Sequence, residues 1–145
     1  MASRVLLVDD QALFREGLET LLSVHKDIEV VGQASNGQEA VEAWTAETFD
    51  AVLMDIQMPI MDGYDATAAI RRREESSSRH TPIIAMTAHA MKGDKEKCLA
   101  ADMDGYVTKP IKSKLMLEEI ARVLEEYPPP CDSGSRGEPI NDRRF

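Results

Sequence analysis

Five residues with polar or charged side chains stand at the ends of short apolar runs in the sequence. They are Asp9, Asp10, Asp55, Thr87 and Lys109. A carboxylate at the edge of an apolar core is unfavourable unless another group compensates for it. Acid, hydroxyl and ammonium groups together could perform phosphoryl transfer, which depends on positioning and on neutralisation of charge. An aspartate carboxylate is also a known nucleophile toward phosphoryl groups.

Charge repulsion among the three acids would be relieved by a bound cation. Two unit negative charges about 5 Å apart repel by about 3 kcal/mol at an effective dielectric constant near 20. Ligand sets made only of oxygen favour magnesium, which keeps several waters and takes few protein carboxylates. We therefore predict an Mg²⁺ site at Asp9, Asp10 and Asp55, with Asp55 as the nucleophile because its strand is central. Lys109 would add a fixed positive charge and Thr87 a hydroxyl donor.

Each of these residues also has an ordinary structural interpretation. Asp9 or Asp10 could cap the helix that follows, and Asp55 could begin the turn in the segment MPIMDG. Thr87 could be a β-branched strand residue, and Lys109 could be a solvated one. The coincidence of such residues at four strand ends favours one shared site over several separate structural roles.

The surrounding sequence alternates between strand and helix patterns. Three of the apolar runs are continuous, which is typical of strands covered on both faces in a parallel sheet. The alternation predicts an α/β fold with a doubly wound, five-stranded parallel sheet and five helices on its two faces. In such a sheet ligands bind at the carboxyl ends of the strands, where the five residues named above would meet. The predicted strands are 4–9, 28–34, 51–55, 82–87 and 105–109, and the predicted helices are 11–25, 36–47, 63–73, 91–102 and 112–127.

The sequence divides into a folded part and a tail. Residues 1–127 contain every strand and helix pattern and are predicted to form one domain. Residues 128–145 are rich in proline, glycine and serine and have no apolar periodicity, which is typical of a linker. We expect this tail to lead into a further domain. Cys98 and Cys131 are far apart, so the sequence offers neither a disulfide framework nor a cysteine metal site.

The bulk composition argues against several functional classes. A net charge of −9 and a pI near 4.8 disfavour direct nucleic-acid binding, because the phosphate backbone would repel the domain. The longest apolar runs have four to five residues, which is too short to span a bilayer. We expect no secretory leader, because no charged and then apolar segment opens the sequence. We expect a cytoplasmic protein with no membrane contact by this domain.

Four segments together resemble a known family. LLVDDQ, VLMDIQMPIMDGYDA, TPIIAMTAHAM and DGYVTKPI are similar to the receiver domain of bacterial two-component response regulators. The resemblance covers residues 3–127, and the combined motifs are far more specific than the pair DD alone. It implies a flavodoxin-like sheet with the strand order 2-1-3-4-5, as in a chemotaxis regulator of this family.

The resemblance implies a role for each acid. Asp55 is expected to be the phospho-acceptor and also a ligand of Mg²⁺. Asp10 is expected to bind the metal directly, whereas Asp9 would act more through water. The third protein ligand would be the backbone carbonyl of Gln57.

The resemblance also implies roles at the ends of the last two strands. Thr87 and Lys109 would engage the phosphoryl oxygens. Tyr106 would be the aromatic switch, whose ring turns inward when Thr87 moves toward the phosphate. Lys109 and Pro110 resemble a position where the family uses a cis peptide bond, which is inexpensive only before proline.

Two further positions bear on the lifetime of the phosphate. Gln57 lies two residues after Asp55, and His89 lies two residues after Thr87. Both are expected to overlook the phosphoryl site. The alternative for His89 is an exposed residue at the start of a helix.

The implied function is phosphorelay signal transduction. A histidine kinase or a histidine phosphotransfer domain would donate the phosphoryl group from phosphohistidine to Asp55. The face formed by the fourth helix, the fifth strand and the fifth helix would then bind an output domain or a partner protein. The resemblance implies a signalling domain rather than an enzyme, apart from slow self-dephosphorylation.

The parent protein is less clearly indicated. Residues 11–37 are similar to receivers attached to DNA-binding output domains, whereas the segment from DIQMPIMDG onward is similar to receivers fused to sensor kinases. The tail ending in INDRRF is similar to linkers that lead into a histidine phosphotransfer domain. We expect a fragment of a hybrid histidine kinase or of another multidomain regulator.

Two alternative functions belong to other classes. A magnesium-dependent phosphatase of the haloacid dehalogenase type also uses an acid nucleophile, a threonine and a lysine at strand ends. Such enzymes carry a second aspartate two residues after the nucleophile, where this sequence has Gln57, which cannot transfer a proton at neutral pH. The second alternative is a receiver-like module that binds proteins without being phosphorylated.

Overall fold

A computed structural model describes five parts of the chain. They are residues 3–56, 58–76, 80–87, 92–109 and 111–127, with only the backbone described for residues 92–95. The predictions made for Gln57, His89, Pro110 and the tail 128–145 fall outside the described residues.

The described part alternates strictly between strands and helices, as predicted. The five strands form one parallel sheet with the order β2-β1-β3-β4-β5. The predicted fold class and strand order are therefore confirmed. In chain order the elements are β1 (Ser3–Val8), α1 (Ala12–Ser23), β2 (Ile28–Ala34), α2 (Gly37–Ala46), β3 (Ala51–Asp55), α3 (Gly63–Glu74), β4 (Ile83–Thr87), α4 (Lys92–Ala100), β5 (Gly105–Thr108) and α5 (Ser113–Glu126).

Alternate residues of the strands point to opposite faces of the sheet, and each face is covered by an apolar cluster. The first cluster lies between the sheet and α2, α3 and α4, and the second lies between the sheet and α1 and α5. Both faces are therefore shielded from solvent, which explains the continuous apolar runs of the central strands. The first cluster includes Leu6, Val52, Ile83, Trp44, Ile70 and Cys98, and the second includes Val5, Leu53, Ile84, Leu18 and Ile120.

Two helices, α1 and α4, end two residues earlier than the sequence predicts. α1 stops at Ser23 rather than at residue 25, because the His25 N–H donates to the Leu22 carbonyl and forms a tighter turn. α4 stops at Ala100 rather than at residue 102. Asp102 adopts a left-handed conformation with φ 70°, and the next N–H, of Met103, returns to a carbonyl within the helix at 3.0 Å. Such a left-handed residue is a common helix terminator.

The helices that follow β2 and β3 begin at side-chain caps. The Asn36 side chain accepts a hydrogen bond from the Glu39 N–H, and the Asp62 side chain accepts one from the Asp65 N–H. Both caps satisfy N–H groups that have no partner within the helix. They fix the starts of α2 and α3 near the carboxyl edge of the sheet.

Candidate functional site

Three acids meet at the carboxyl edge of β1 and β3. One carboxylate oxygen each from Asp9, Asp10 and Asp55 lies within 4.8 Å of the other two. Asp9 and Asp55 are buried, whereas Asp10 is exposed. The structure thus brings together the three residues that were predicted to hold a cation, and their oxygen-only ligand set suits Mg²⁺.

Lys109 reaches the same point from the end of β5. Its Nζ atom lies 2.9 Å from Asp9 Oδ2 and 3.5 Å from Asp55 Oδ1. The Lys109 side chain is 20% exposed, so the predicted alternative of a solvated lysine does not describe it. One ammonium faces three carboxylates, and the group of Asp9, Asp10, Asp55 and Lys109 therefore carries an excess of negative charge. We call these four residues the carboxyl-end cluster.

Asp9 is held by contacts on both carboxylate oxygens. Oδ1 accepts a hydrogen bond of 2.8 Å from the Gln11 N–H, and Oδ2 accepts the bond from Lys109. The backbone carbonyl of Asp9 accepts a hydrogen bond from the Arg15 guanidinium. Because both oxygens are engaged, Asp9 has less capacity for direct metal binding than the exposed Asp10.

The ordinary helix-cap and turn interpretations do not describe the acids well. The N-cap residue of α1 is Gln11, with no side-chain cap bond. In the segment after β3 it is Asp62 that caps α3. Asp55 is instead the last residue of the central strand and is 6% exposed.

Two constrained positions follow Asp55, one in the loop and one at the start of α3. A Cβ atom at Gly63 would lie 2.5 Å from the backbone oxygen of Asp55, so only glycine permits this close approach of α3 to β3. Ile60 adopts φ 69° and its side chain is 78% exposed. This conformation is unfavourable for a β-branched residue.

Thr87 ends β4, the strand beside that of Asp55. Asp55 pairs with Met86, so Thr87 lies one residue further toward the carboxyl edge. Thr87 is 4% exposed, and its carbonyl accepts a hydrogen bond of 2.7 Å from the Lys109 N–H. The structure therefore links the two predicted phosphoryl-binding residues through the backbone.

Tyr106 lies on β5 within reach of the surface formed by α4, β5 and α5. It pairs with Ala85, whereas Thr87 pairs with Thr108, so alternation places Tyr106 and Thr87 on the same face of the sheet. Tyr106 packs against the first apolar cluster, and its N–H donates to Glu119 Oε2 at 2.9 Å. Two grooves of about 660 and 560 Å³ adjoin it, and both are also lined by Glu119 and Arg122.

Sequence reasoning missed one neighbour of Lys109. Lys109 Nζ lies 4.4 Å from the centroid of the Phe14 ring, on α1. Phe14 is partly buried and packs against the second apolar cluster. Its helical spacing with Leu18 and Leu21 marks it only as a core position, so the sequence holds no signal for this contact.

A second polar cluster, which no sequence pattern indicated, lies at the amino end of the sheet. It contains Arg71 and Glu74 of α3, together with His80 and Asp104, which precede β4 and β5. Arg71 pairs with Glu74 at 2.8 Å and with Asp104 at 2.7 Å, and His80 Nε2 lies 2.7 Å from Asp104 Oδ1. We call these four residues the amino-end cluster.

Backbone groups complete the amino-end cluster. Asp104 Oδ2 also accepts the Ile83 N–H at 2.9 Å, and Glu74 Oε2 accepts the Thr81 N–H at 2.6 Å. Burial raises the pKa of Asp104, but hydrogen bonds from His80 and Ile83 and the charge of Arg71 outweigh it. The pKa of Asp104 consequently lies below its ordinary value.

The end of α5 contacts the same cluster. The Tyr127 ring stacks on His80 with 4.2 Å between the ring centroids. Burial and the negative charges of Asp104 and Glu126 raise the pKa of the Tyr127 phenol. The last described residue of the chain is thus held against the sheet.

Comparison with known proteins identifies the family. Residues 5–121 match the model of the response regulator receiver domain. This match covers most of the chain, and the chain belongs to the response regulator receiver domain family. It is a phosphorelay signalling domain.

Two relatives illustrate the range of architectures in which similar sequences occur. The chain is 43% identical over 130 residues to hybrid signal transduction histidine kinase I of Dictyostelium discoideum, covering 86% of this chain and 7% of the kinase. It is 39% identical over 124 residues to the chemotaxis protein CheY of Halobacterium salinarum, covering 86% of this chain and 98% of that protein. The chain therefore spans only a small part of the kinase.

Two solved structures are similar to the fold described above. One is the receiver domain of a sensor histidine kinase from Pseudomonas aeruginosa PAO1 with a magnesium ion in the active site cleft. It has a TM-score of 0.73 and 36% identity, and covers 84% of this chain and 97% of that one. The other is the Ssk1 receiver domain with the histidine phosphotransfer protein Ypd1 of Saccharomyces cerevisiae. It has a TM-score of 0.75 and 30% identity, and the match covers 86% of this chain and 91% of that one.

Proposed function

We propose that Asp55 is the phospho-acceptor of this domain and that Mg²⁺ is its cofactor. The observation that carries the proposal is the carboxyl-end cluster itself. Three carboxylate oxygens lie within 4.8 Å of one another, and a single ammonium is paired with two of the acids. Such a surplus of negative charge favours the binding of a cation, which would in turn neutralise the oxygens of an incoming phosphoryl group.

In the proposed reaction a carboxylate oxygen of Asp55 attacks the phosphorus of a phosphohistidine. The new O–P bond forms as the P–N bond breaks, and the electron pair of the P–N bond returns to the imidazole nitrogen, which takes a proton. The product is an acyl phosphate on Asp55. Lys109, already 3.5 Å from Asp55 Oδ1, is placed to neutralise the phosphoryl oxygens.

The residues that would hold the metal are Asp10, Asp55 and, through water, Asp9. The cation would supply charge neutralisation for the incoming phosphoryl group. The assignment of Asp9 to an indirect role is supported by its two engaged oxygens. The contribution of the Gln57 carbonyl stays a prediction, because Gln57 lies outside the described residues.

We further propose that Thr87 and Tyr106 couple phosphorylation to the surface formed by α4, β5 and α5. Thr87 and Tyr106 lie on the same face of the sheet, on neighbouring strands. Added charge at Asp55 would draw Thr87 and Lys109 toward the phosphoryl oxygens and shift an existing two-state equilibrium. A partner protein or output domain would then bind at the two grooves that adjoin Tyr106.

The proposed phosphodonor is a histidine kinase or a histidine phosphotransfer domain. The similarity to a receiver domain crystallised with a phosphotransfer protein supports the second of these donors. The proposed domain comprises residues 1–127, with 128–145 as a linker, and the parent is proposed to be a hybrid histidine kinase or another multidomain regulator. Several further points stay predictions. They are slow self-dephosphorylation, the effects of Gln57 and His89 on it, the cis peptide at Lys109 and Pro110, the cytoplasmic location and the absence of nucleic-acid contact.

No helix in the described ranges combines the length and the apolarity that a membrane span needs.

The alternative phosphatase function is not favoured. The family match and the receiver-domain relatives support signalling instead. Gln57 in place of a second aspartate fits a long-lived acyl phosphate, which a switch requires. A receiver that only binds proteins is disfavoured by the assembled carboxyl-end cluster.

The proposal is tested by labelling with a small phosphodonor. The protein is incubated with acetyl phosphate and MgCl₂, and its intact mass is measured. Wild type is expected to gain one phosphoryl group, and Asp55→Asn is expected to gain none, because an amide cannot attack phosphorus. Chelation of the metal with EDTA should suppress labelling of the wild type.

The matched control is Asp27→Asn, an acid-to-amide change at an exposed residue before β2. This variant should be labelled as fully as the wild type. Equal labelling of Asp55→Asn and wild type would overturn the assignment of the phospho-acceptor, and labelling that persists in EDTA would overturn the role of the metal.

A further inference from the structure

We propose that Phe14 is a positioning residue for Lys109, whose ammonium it holds beside Asp55 through a cation–π interaction. The inference rests on the function proposed above and adds one residue to the same site. Lys109 Nζ lies 4.4 Å from the centroid of the Phe14 ring. An aromatic face attracts a cation within about 6 Å, and the attraction is stronger where the cation is desolvated.

The ammonium of Lys109 has neighbours of two kinds. Asp9 at 2.9 Å and Asp55 at 3.5 Å are charged, whereas the Phe14 ring is neutral. The two carboxylates are also groups proposed to hold Mg²⁺, and a bound cation would weaken their attraction for the ammonium. The ring takes no part in metal binding, and its attraction for Lys109 is therefore retained.

The fold keeps the ring in place independently of the ammonium. Strand alternation places Asp55 on the same face of the sheet as Leu53, which is the face that α1 and α5 cover. Phe14 lies in the first turn of α1 and packs against the apolar cluster on that side. The lysine side chain, only 20% exposed, thus meets an aromatic surface that is already fixed.

A purely structural role for Phe14 would require only an apolar side chain of similar volume. Leucine meets that requirement but has no aromatic face, whereas tyrosine and tryptophan keep one. The two roles therefore predict different orders of effect among substitutions at this position.

The first experiment measures the initial rate of labelling by acetyl phosphate at saturating MgCl₂. Phe14→Leu is expected to slow labelling by about three- to tenfold, from the typical strength of a cation–π contact. Phe14→Tyr and Phe14→Trp are expected to stay close to the wild-type rate. A wild-type rate for Phe14→Leu, or equal slowing by the aromatic variants, would overturn the proposal.

The control variant is Leu21→Ala. Leu21 lies on the same helix and packs against the same apolar cluster. A loss of packing on α1 that slows labelling without involving Lys109 would appear in this variant too. Leu21→Ala is expected to label at the wild-type rate while unfolding more easily, and slowing equal to that of Phe14→Leu would count against a specific role of the ring.

A second experiment uses neither magnesium nor phosphodonor. The unfolding equilibrium constant in urea is measured without metal for wild type, Phe14→Leu, Lys109→Met and the double variant. The effects of the two substitutions on the unfolding equilibrium constant are expected to depart from additivity by about threefold or more, because each removes the same contact. Additive effects would overturn the proposal.

The two experiments separate this inference from the proposed function. Absence of wild-type labelling by any phosphodonor would defeat the proposed function. The metal-free unfolding experiment on the single and double variants would still decide whether Phe14 holds Lys109. If the wild type is labelled normally, Phe14→Leu has no effect on labelling and the two substitutions are additive in unfolding, only the inference about Phe14 is defeated.

Discussion

The two ends of the sheet carry polar clusters of similar size, and the negative charges of their acids are compensated in different ways. In the amino-end cluster, Arg71 and His80 face Glu74 and Asp104, and backbone N–H groups donate to both acids. In the carboxyl-end cluster, one lysine faces three acids. Both clusters are largely buried, so burial alone does not distinguish them.

The difference is consistent with a structural role for the amino-end cluster and with the ligand-binding role proposed for the carboxyl-end cluster. A buried charge is tolerated when its partners are present in the same chain, and the amino-end cluster meets that condition. In the carboxyl-end cluster one lysine is paired with two of the three acids, and the further positive charge is proposed to come from Mg²⁺. Substitutions in the amino-end cluster should therefore reduce stability more than labelling. Substitutions in the carboxyl-end cluster should reduce labelling more than stability.

The largest expected effect is on stability, from Arg71→Leu. The substitution leaves Glu74 and Asp104 without their shared cation, and breaking a buried ion pair in this way typically costs about 3–5 kcal/mol. The unfolding free energy is measured by urea titration. Labelling by acetyl phosphate should stay normal for the folded fraction, because Arg71 lies at the opposite end of the sheet.

The control is Arg72→Leu, the same change at the exposed neighbour on α3. It should alter the unfolding free energy by no more than about 0.5 kcal/mol. Similar effects of the two substitutions, or a loss of labelling in folded Arg71→Leu, would contradict the distinction between the two clusters.

The next effect, at the other end of the sheet, is on metal affinity. Asp10→Asn removes the exposed carboxylate of the carboxyl-end cluster, and we expect the affinity for Mg²⁺ to fall by about ten- to hundredfold. Without metal, the variant should unfold at a slightly higher urea concentration than the wild type, because one of three like charges is gone. Isothermal titration calorimetry and urea unfolding measure the two quantities. A variant that is less stable without metal would show that this acid has a structural role.

The smallest effect is the acid dependence of stability contributed by Asp104. Its pKa is lower in the folded protein than the ordinary value of about 3.9, so the folded state binds its proton less readily than the unfolded state. The stabilisation is complete above the ordinary pKa and is lost as the pH falls through the lower, folded value. The unfolding free energy of the wild type should therefore fall more steeply between pH 5 and pH 3 than that of Asp104→Asn, and parallel curves would contradict the pairing.

The fold and most of the carboxyl-end cluster could be predicted from the sequence. Continuous apolar runs reveal strands covered on both faces, and parallel strands bring their carboxyl ends together. The positions of Asp9, Asp55 and Lys109 follow from those two facts. The strand order was taken from the family resemblance rather than from the pattern itself.

The amino-end cluster and the Phe14 contact could not be predicted in this way. Arg71, Glu74 and Asp104 are distributed over a helix and a loop, and nothing in their spacing distinguishes them from the other charged residues of an acidic chain. Phe14 has the helical spacing of an ordinary core residue. Its contact with Lys109 depends on the rotation of α1 over the sheet, which is set by packing.

Arg71 has one further consequence for the two strands it joins. It donates to the Thr81 carbonyl and to Asp104 Oδ2, next to the starts of β4 and β5. These strands have five and four residues, so their far ends lie only about 15 Å away. Thr87 ends β4 and Lys109 follows β5, so Arg71 fixes the spacing of the two strands at the end opposite to the proposed phosphoryl site.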